Sequence, residues 1–472
     1  MNKKFYITTT LPYVNADPHL GFALEIVQAD AVARYHKLLG EEVIFNFGTD
    51  EHGQKIYQKA LEEKKDPQKY CDEYAAKFDS LKKALNLSYT NFIRTTDKKH
   101  IKAVHEFWNS CNKNGDIYKK NYKQKYCVGC ELEKTDSELV DGKCPLHPNR
   151  EIELIEEENY FFKFSKYQEK LLKFYENSPA FVIPFSKFNE IKTFVKGGLQ
   201  DFSVSRLKDK MPWGIDVPND PKQVISVWFD ALTNYISTLG WPKGKENFEN
   251  FWPGIQVAGK DNLRQQTAIW QAMLMSAGLP NSRQVFIHGF ITVNGQKISK
   301  SLGNIINPFD LVEKYGTDAL RYYLLAKINP YEDSDFTKEK FEDVYNSDLA
   351  NGLGNLVSRV AKLCEISGFE FEKTSINKFD GTISKPLDEF RFDEAIKIVW
   401  AKITETDQYI NTNEPWKLKG EELKSVLTYS VKSLVAIAYY LAPFLPETAV
   451  KIEKQFKGPK IKSEDPLFPR LK

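Results

Sequence analysis

FYITTTLPYVNADPHLGF, Phe5 to Phe22, decides the fold. Phe5 to Thr10 is β-branched and aromatic and reads as a buried strand. Asp17-Pro18 predicts an N-cap followed by a proline at the first helical position, so a short loop leads from the strand into a helix. That loop brings His19 and Gly21 to the helix N-terminus, where free backbone N–H groups and the dipole favour an anion and an imidazole adds a donor. The expected element is a phosphate site at the carboxyl end of a parallel strand. Read as plain structure, the same residues are a capped helix with a surface histidine.

Downstream, Leu20, Ala23, Leu24, Val27, Ala31 and Val32 keep helical spacing and Gly40 ends the helix. Glu42 to Phe47 is a second strand, and GTDEHG places Asp50 and His52 at its carboxyl end, where open α/β sheets bind ligands. Asp50 can equally be an N-cap. Lys55 to about Gly115 reads as largely helical, with Cys71 and Cys111 as buried thiols. Further strands are expected at Gln223 to Trp228, at Ile255 to Ala258 leading into Gly259-Lys260-Asp261, and at Val285 to His288 leading into Gly289-Phe290. After Asn294-Gly295 comes Lys297-Ile298-Ser299-Lys300-Ser301, whose two lysines three apart make a cationic clamp for a transferring phosphate. Repeated strand, ligand loop and helix units imply an α/β fold with a doubly wound parallel, Rossmann-like sheet. From about Val344 strand signals vanish, and Phe392, Ile396, Val399, Ile403 and Ile410, then Leu423, Leu427, Leu434, Ile437 and Leu441, keep helical period, so an all-α helix bundle follows.

Tyr118 to Tyr126 alternates aromatic and basic residues, either the solvated face of an edge strand or a nucleic-acid contact. Behind it come Cys127-x-x-Cys130 and Cys144-x-x-His147, two knuckles that converge four soft ligands on one ion. Four ligands close the coordination shell, so one structural Zn2+ is expected. The alternative is three buried cysteines beside a surface histidine. Six cysteines in 472 residues form no secreted-type disulfide framework, and a net charge of +2 requires any nucleic acid to be met by local patches. With no signal peptide at the start, and Leu434 to Leu445 broken by Pro443 and short of the ~20 residues of a span, the expectation is a cytoplasmic protein with no membrane partner.

The loop at 18 to 21 and the lysine loop together resemble the HIGH and KMSKS signatures of class I aminoacyl-tRNA synthetases. TLPYVN at 10 to 15, GTDEHG at 48 to 53, WFDALTNY at 228 to 235, GKD at 259 to 261 and NEPW at 413 to 416 narrow this to a resemblance to methionyl-tRNA synthetases over nearly the whole chain. The resemblance implies ATP-dependent activation of methionine and its transfer to tRNA(Met), with Mg-ATP as substrate. It implies a catalytic set of His19, Lys297 and Lys300. Pro18, His19, Gly21, Glu25, Arg206, Gly259, Asp261, His288, Lys297, Ser299 and Lys300 would meet ATP. Leu11, Tyr13, Asp50, Trp228, Ala231, Leu232, Tyr235 and Gln266 would meet methionine, Asp50 through the α-ammonium. Asn355, Arg359 and Trp416 would read the anticodon, an indole to stack on a base and polar groups for its edge; individually they are a helix asparagine, a surface arginine and a core tryptophan.

The implied organisation is a first half of the nucleotide-binding fold at 1–115, a connective insertion with the zinc site at 116–220, the second half at 221–290, the lysine loop and stem-contact region at 291–345, and the anticodon-binding bundle at 346–472. A chain that ends soon after the bundle is expected to act as a monomer. Two departures stand out: Phe22 replaces the second histidine of the signature, and Gln265-Gln266 replace the more usual aromatic-His pair near the methionine pocket. Phe22 also admits a non-catalytic tRNA-binding paralogue, and the phosphate loop alone admits an adenylyltransferase of the same fold.

Overall fold

The computed structural model describes residues 3–298, 303–376 and 378–471. Its centre is a six-stranded, all-parallel sheet in the order Asn91–Arg94, Glu42–Thr49, Lys4–Thr9, Ile255–Gly259, Gln284–His288, Val182–Ile183. Ile7 lies opposite both Phe45 and Ile255, and Phe5, Tyr6 and Ile7 are all buried, because helices cover both faces. The chain order reverses between Lys4–Thr9 and Ile255–Gly259, which opens a crevice beyond the carboxyl ends of these two strands.

The first helix, Leu20–Leu38, starts later than the sequence suggests. His19 is its N-cap, with Nδ1 accepting from Gly21 N at 3.1 Å, while Asp17 is an exposed partner of Lys77 at 2.7 Å. The reason is tertiary: Leu20 N donates to Ile306 O at 3.0 Å, so the loop after the lysine segment sets the first turn. The stretch expected to be helical from 55 to 115 contains the edge strand Asn91–Arg94. Gly48 permits this strand to approach, since a Cβ there would lie 1.8 Å from Ile93 O.

The segment 116–220 is not a single body. Its first part is a long antiparallel hairpin, Ile117–Cys127 with Glu153–Phe162, that carries the cysteine knuckles beyond its far end. Val182–Ile183 then pairs with Val285 and Phe286 and completes the central sheet, between the helices Gln168–Asn177 and Phe185–Lys196. The expected strand near 223 is Asp220–Ile225, paired antiparallel with Ser205–Leu207 and Asp216–Val217 and outside the central sheet. Trp228 therefore lies on the helix Val227–Leu232.

Past Phe336 the described residues form no further strand. The rod Lys338–Val344, a π-helical Tyr345–Gly354 and Asn355–Ser367 run on continuously, so the expected boundary near 345 falls inside a helix. Phe392–Asn413, Gly420–Leu441 and Pro446–Phe456 complete the bundle, which shares one apolar core with the first helix and the central strands. Arg321 is fully buried at this junction. It ion-pairs with Asp30 of the first helix at 2.8 Å and donates to Leu85 O, Pro443 O and Phe444 O. Among the described residues no helix is long and apolar enough to cross a membrane.

Candidate active site

A cavity of about 710 Å3 opens at the carboxyl ends of the strands. Leu11, Tyr13, Asp50, Trp228, Ala231, Leu232, Tyr235 and Gln266, which the resemblance grouped, all line it, as does Asp261. Five separate segments deliver them: the loop after Lys4–Thr9, the end of Glu42–Thr49, the helix Val227–Leu232 with its continuation, the turn Lys260–Asn262 and the π-helical turn Gln265–Ile269. Asp50 does not cap a helix, since Gly53 precedes Gln54–Glu62. Its carboxylate is 3% exposed, and Oδ1 has no partner among the described residues. Burial, then Asp230 and Glu131, push its carboxyl well above the usual range. Such a group favours a cation.

Behind Asp50 lies a network that sequence reasoning missed. His52 Nδ1 and His100 each meet Asp230, at 2.7 and 2.8 Å, in a buried cluster. Burial raises the Asp230 carboxyl, but the two imidazoles outweigh it and hold the group below its ordinary value. This ties GTDEHG to WFDALTNY through side chains. Glu25 does similar work at the strand exit. Its Oε1 accepts from Thr10 N at 2.7 Å and Oε2 meets His288 Nε2 at 3.0 Å. Burial would lower His288, yet Glu25 holds it above the usual imidazole value.

His19 sits beside the cavity. Phe22, which lines the cavity, stacks on its ring at 4.2 Å and packs edge-on to Phe78. Burial lowers the imidazole to about 4, so it is neutral near pH 7. With Nδ1 accepting from Gly21 N, the ring proton belongs on Nε2, which is left as a donor at the helix N-terminus. Pro18 is buried just before it. Gly259 ends its strand and His288 the next. Arg206 lies elsewhere: it is buried under the hairpin, over the Tyr126 ring, and donates to Ser203 Oγ and Ser205 O. Lys297 belongs to a short hairpin, Ile291–Val293 with Gln296–Lys297, turned by Asn294-Gly295 at positive φ. Ser299 and Lys300 lie outside the described residues.

Cys127, Cys130, Cys144 and His147 offer four ligand atoms within 4.8 Å of one another. Cys130 Sγ is 3.5 Å from Cys144 Sγ and 3.3 Å from His147 Nδ1. Tetrahedral ligands at about 2.3 Å from an ion lie roughly 3.8 Å apart, so the quartet fits one metal. Only glycine suits position 129, because a Cβ would lie 2.3 Å from the His147 ring. The knuckle also walls the cavity: Cys130 and His147 line it, and Cys130 O accepts from the Trp228 indole at 3.3 Å.

The comparisons with known proteins agree with this geometry. The model of class I tRNA synthetases (M) matches residues 5–153 and 146–361. A methionine–tRNA ligase of Thermotoga maritima is 42% identical over 95% of this chain and 74% of its own, and one of Nostoc sp. is 42% identical over 96% and 90%. The chain belongs to the methionyl-tRNA synthetase family. The solved Mycobacterium tuberculosis methionyl-tRNA synthetase in complex with methionyl-adenylate superposes with a TM-score of 0.92 at 33% identity, covering 99% of this chain and 100% of that one. The free-state structure of the same enzyme gives 0.84 at 30% identity.

Asn355, Arg359 and Trp416, grouped in the sequence by the resemblance, do not line the cavity. Asn355 and Arg359 share one helix face, and Arg359 donates to Asp407 Oδ1 at 2.6 Å and Asn411 Oδ1 at 2.8 Å on the neighbouring helix. Trp416, in a turn just after that helix ends, is 54% exposed and not a core residue. Three of the four lysines at 118–126 meet carboxylates. Lys119 meets Asp220 at 2.7 Å, Lys123 meets Glu156 at 3.0 Å, and Lys125 pairs with Asp136. The strand pairs with Glu153–Phe162 along one side and, from Lys125 to Cys127, with Leu132–Lys134 on the other, so only its first part is an edge.

Proposed function

We propose that this chain condenses methionine with ATP and passes the methionyl group to tRNA. The observation that carries the reading is one cavity that joins the Asp50 oxygen, without a partner among the described residues, to a slot of Leu11, Tyr13, Trp228, Ala231, Leu232 and Tyr235. In this reading Asp50 holds the α-ammonium, and the slot holds a thioether whose polarisable sulfur suits aromatic walls. The carboxylate attacks the α-phosphorus in line and pyrophosphate leaves; a terminal ribose hydroxyl of the tRNA then takes the acyl group. His19 Nε2–H, Gly21 and the helix N-terminus stabilise the phosphates, with Pro18 shaping the loop. Lys297, Ser299 and Lys300 follow the departing charge, while Gly259, Asp261, Glu25 and His288 frame the nucleotide. Catalysis is then positioning and charge stabilisation.

Arg206 is engaged inside the hairpin and is left out of this set. The cysteine–histidine quartet suits a structural Zn2+, which when bound would fix the cavity wall at Cys130. Asn355, Arg359 and Trp416 are assigned to the anticodon of tRNA(Met), the protein to the cytoplasm, and the working unit to a monomer. The test is ATP–pyrophosphate exchange with each of the common amino acids. Methionine alone should drive it; exchange driven by a different amino acid, or by none, contradicts the proposal.

A further inference from the structure

Phe22 is the residue at which this chain departs from the signature around its phosphate loop, and its ring has two aromatic neighbours. It stacks on His19, with centroids 4.2 Å apart and planes 30° from parallel. It meets Phe78, fully buried on the helix Pro67–Ala84, in a T-shaped contact at 5.6 Å. Three rings thus run from the apolar core to the N-terminus of the first helix, and the middle one also lines the cavity.

A capping histidine does not fix its own ring. The terminal torsion of a histidine side chain is broad and roughly two-fold. A half-turn about Cβ–Cγ would put Cδ2 where Nδ1 stands and Cε1 where Nε2 stands, at the cost of one hydrogen bond, the 3.1 Å contact from Gly21 N. Two features restrain that motion. Gly21 bounds the ring on one side, since a Cβ there would lie 3.0 Å from His19 Cε1. Phe22 covers its face, and a stacked pair keeps its geometry only while the planes stay nearly parallel. Phe22 and Phe78 carry no polar atom, so this packing also keeps water from the imidazole, and burial lowers it to about 4. In this orientation the neutral ring has one donor, Nε2–H, for which no acceptor stands among the described residues.

We infer that Phe22 is a positioning residue that holds the His19 ring in one plane and so directs the Nε2 proton at the phosphate beside the helix N-terminus. Position 22 then supplies an aromatic face and not a hydrogen bond. The inference rests on the proposed adenylation of methionine at this site.

The test combines methionine-dependent pyrophosphate exchange with the tautomer of His19. Phe22→Leu keeps apolar bulk and removes the flat face, so kcat should fall about three- to tenfold with KM for methionine changed by less than about twofold. Phe22→Tyr and Phe22→His keep a ring and should stay within about threefold of wild-type kcat. In protein with 13C-labelled histidine, the Cδ2 shift reports the tautomer, and the His19 signal among seven histidines is the one lost in His19→Gln. Wild-type protein should show the Nε2–H form alone and Phe22→Leu a mixture. Full kcat in folded Phe22→Leu overturns the inference, as does an unchanged tautomer. A gain of more than about tenfold in Phe22→His overturns it too, because position 22 would then serve as a donor. Should Phe22→Leu not fold, Phe22→Met is held to the same criteria. Wild-type protein without methionine-dependent exchange refutes the functional reading, and the tautomer comparison then decides the role of Phe22 by itself.

Discussion

Asp50→Asn should move stability and substrate binding in opposite directions. The wild-type carboxylate is buried, one oxygen lacks a partner among the described residues, and Asp230 and Glu131 add like charge. Its folded-state pKa is raised, so the native protein holds the proton more tightly than the unfolded chain does. Its stabilising contribution is fully present below the ordinary carboxylate value and is lost as pH rises through the raised one. Removing the charge should therefore stabilise the free protein near neutral pH by about 1–3 kcal/mol, the usual penalty for a buried unsatisfied group, and by more at pH 8 than at pH 6. Methionine should lose its ammonium partner, and breaking a buried pair costs about 3–5 kcal/mol, or roughly two to three and a half orders of magnitude in affinity. Thermal unfolding at both pH values and titration calorimetry with methionine read the two effects. A variant that unfolds earlier than wild type, or that binds methionine within about tenfold of it, would refute the reasoning and make Asp50 a structural group.

Gly129→Ala places a Cβ against the His147 ring and should lower bound metal and loosen the hairpin; metal analysis showing full occupancy would contradict this. Trp416→Ala removes an exposed indole, so stability should change by no more than about 0.5 kcal/mol while tRNA charging weakens roughly 5- to 150-fold and pyrophosphate exchange is untouched. A parallel fall in melting temperature would make Trp416 a packing residue. Asp230→Asn turns one acceptor into a donor facing an imidazole and should cost about 3 kcal/mol in denaturant unfolding. Because the wild-type Asp230 carboxyl is depressed, its contribution is present above the ordinary carboxylate value and lost as pH falls through the depressed one, so the gap between variant and wild type should close in acid.

What was legible in the sequence depended on local chemistry. The strand before Leu11, the cysteine–histidine spacing and the apolar period of the bundle each carry their meaning within a few residues. All eight residues grouped around methionine line one cavity, because strand-end loops of a parallel sheet converge at a switch point. What escaped was set by partners distant in the chain. Asn91–Arg94 has four residues and Val182–Ile183 two, and pairing with Glu42–Thr49 and Gln284–His288 makes them strands. The first helix begins at Leu20 because Ile306 supplies a carbonyl. Asp230 gains its role from histidines 178 and 130 positions away. Asn294-Gly295 is itself a hairpin signal, and it turns Ile291–Val293 onto Gln296–Lys297.

The most direct measurement uses ATP labelled at the α-phosphate, methionine and purified protein, with bound adenylate isolated and then mixed with tRNA(Met). The account predicts that the protein retains methionyl-adenylate and that added tRNA releases labelled AMP as methionyl-tRNA appears. Adenylate that forms but never discharges to tRNA, or discharge with no adenylate formed beforehand, would contradict it.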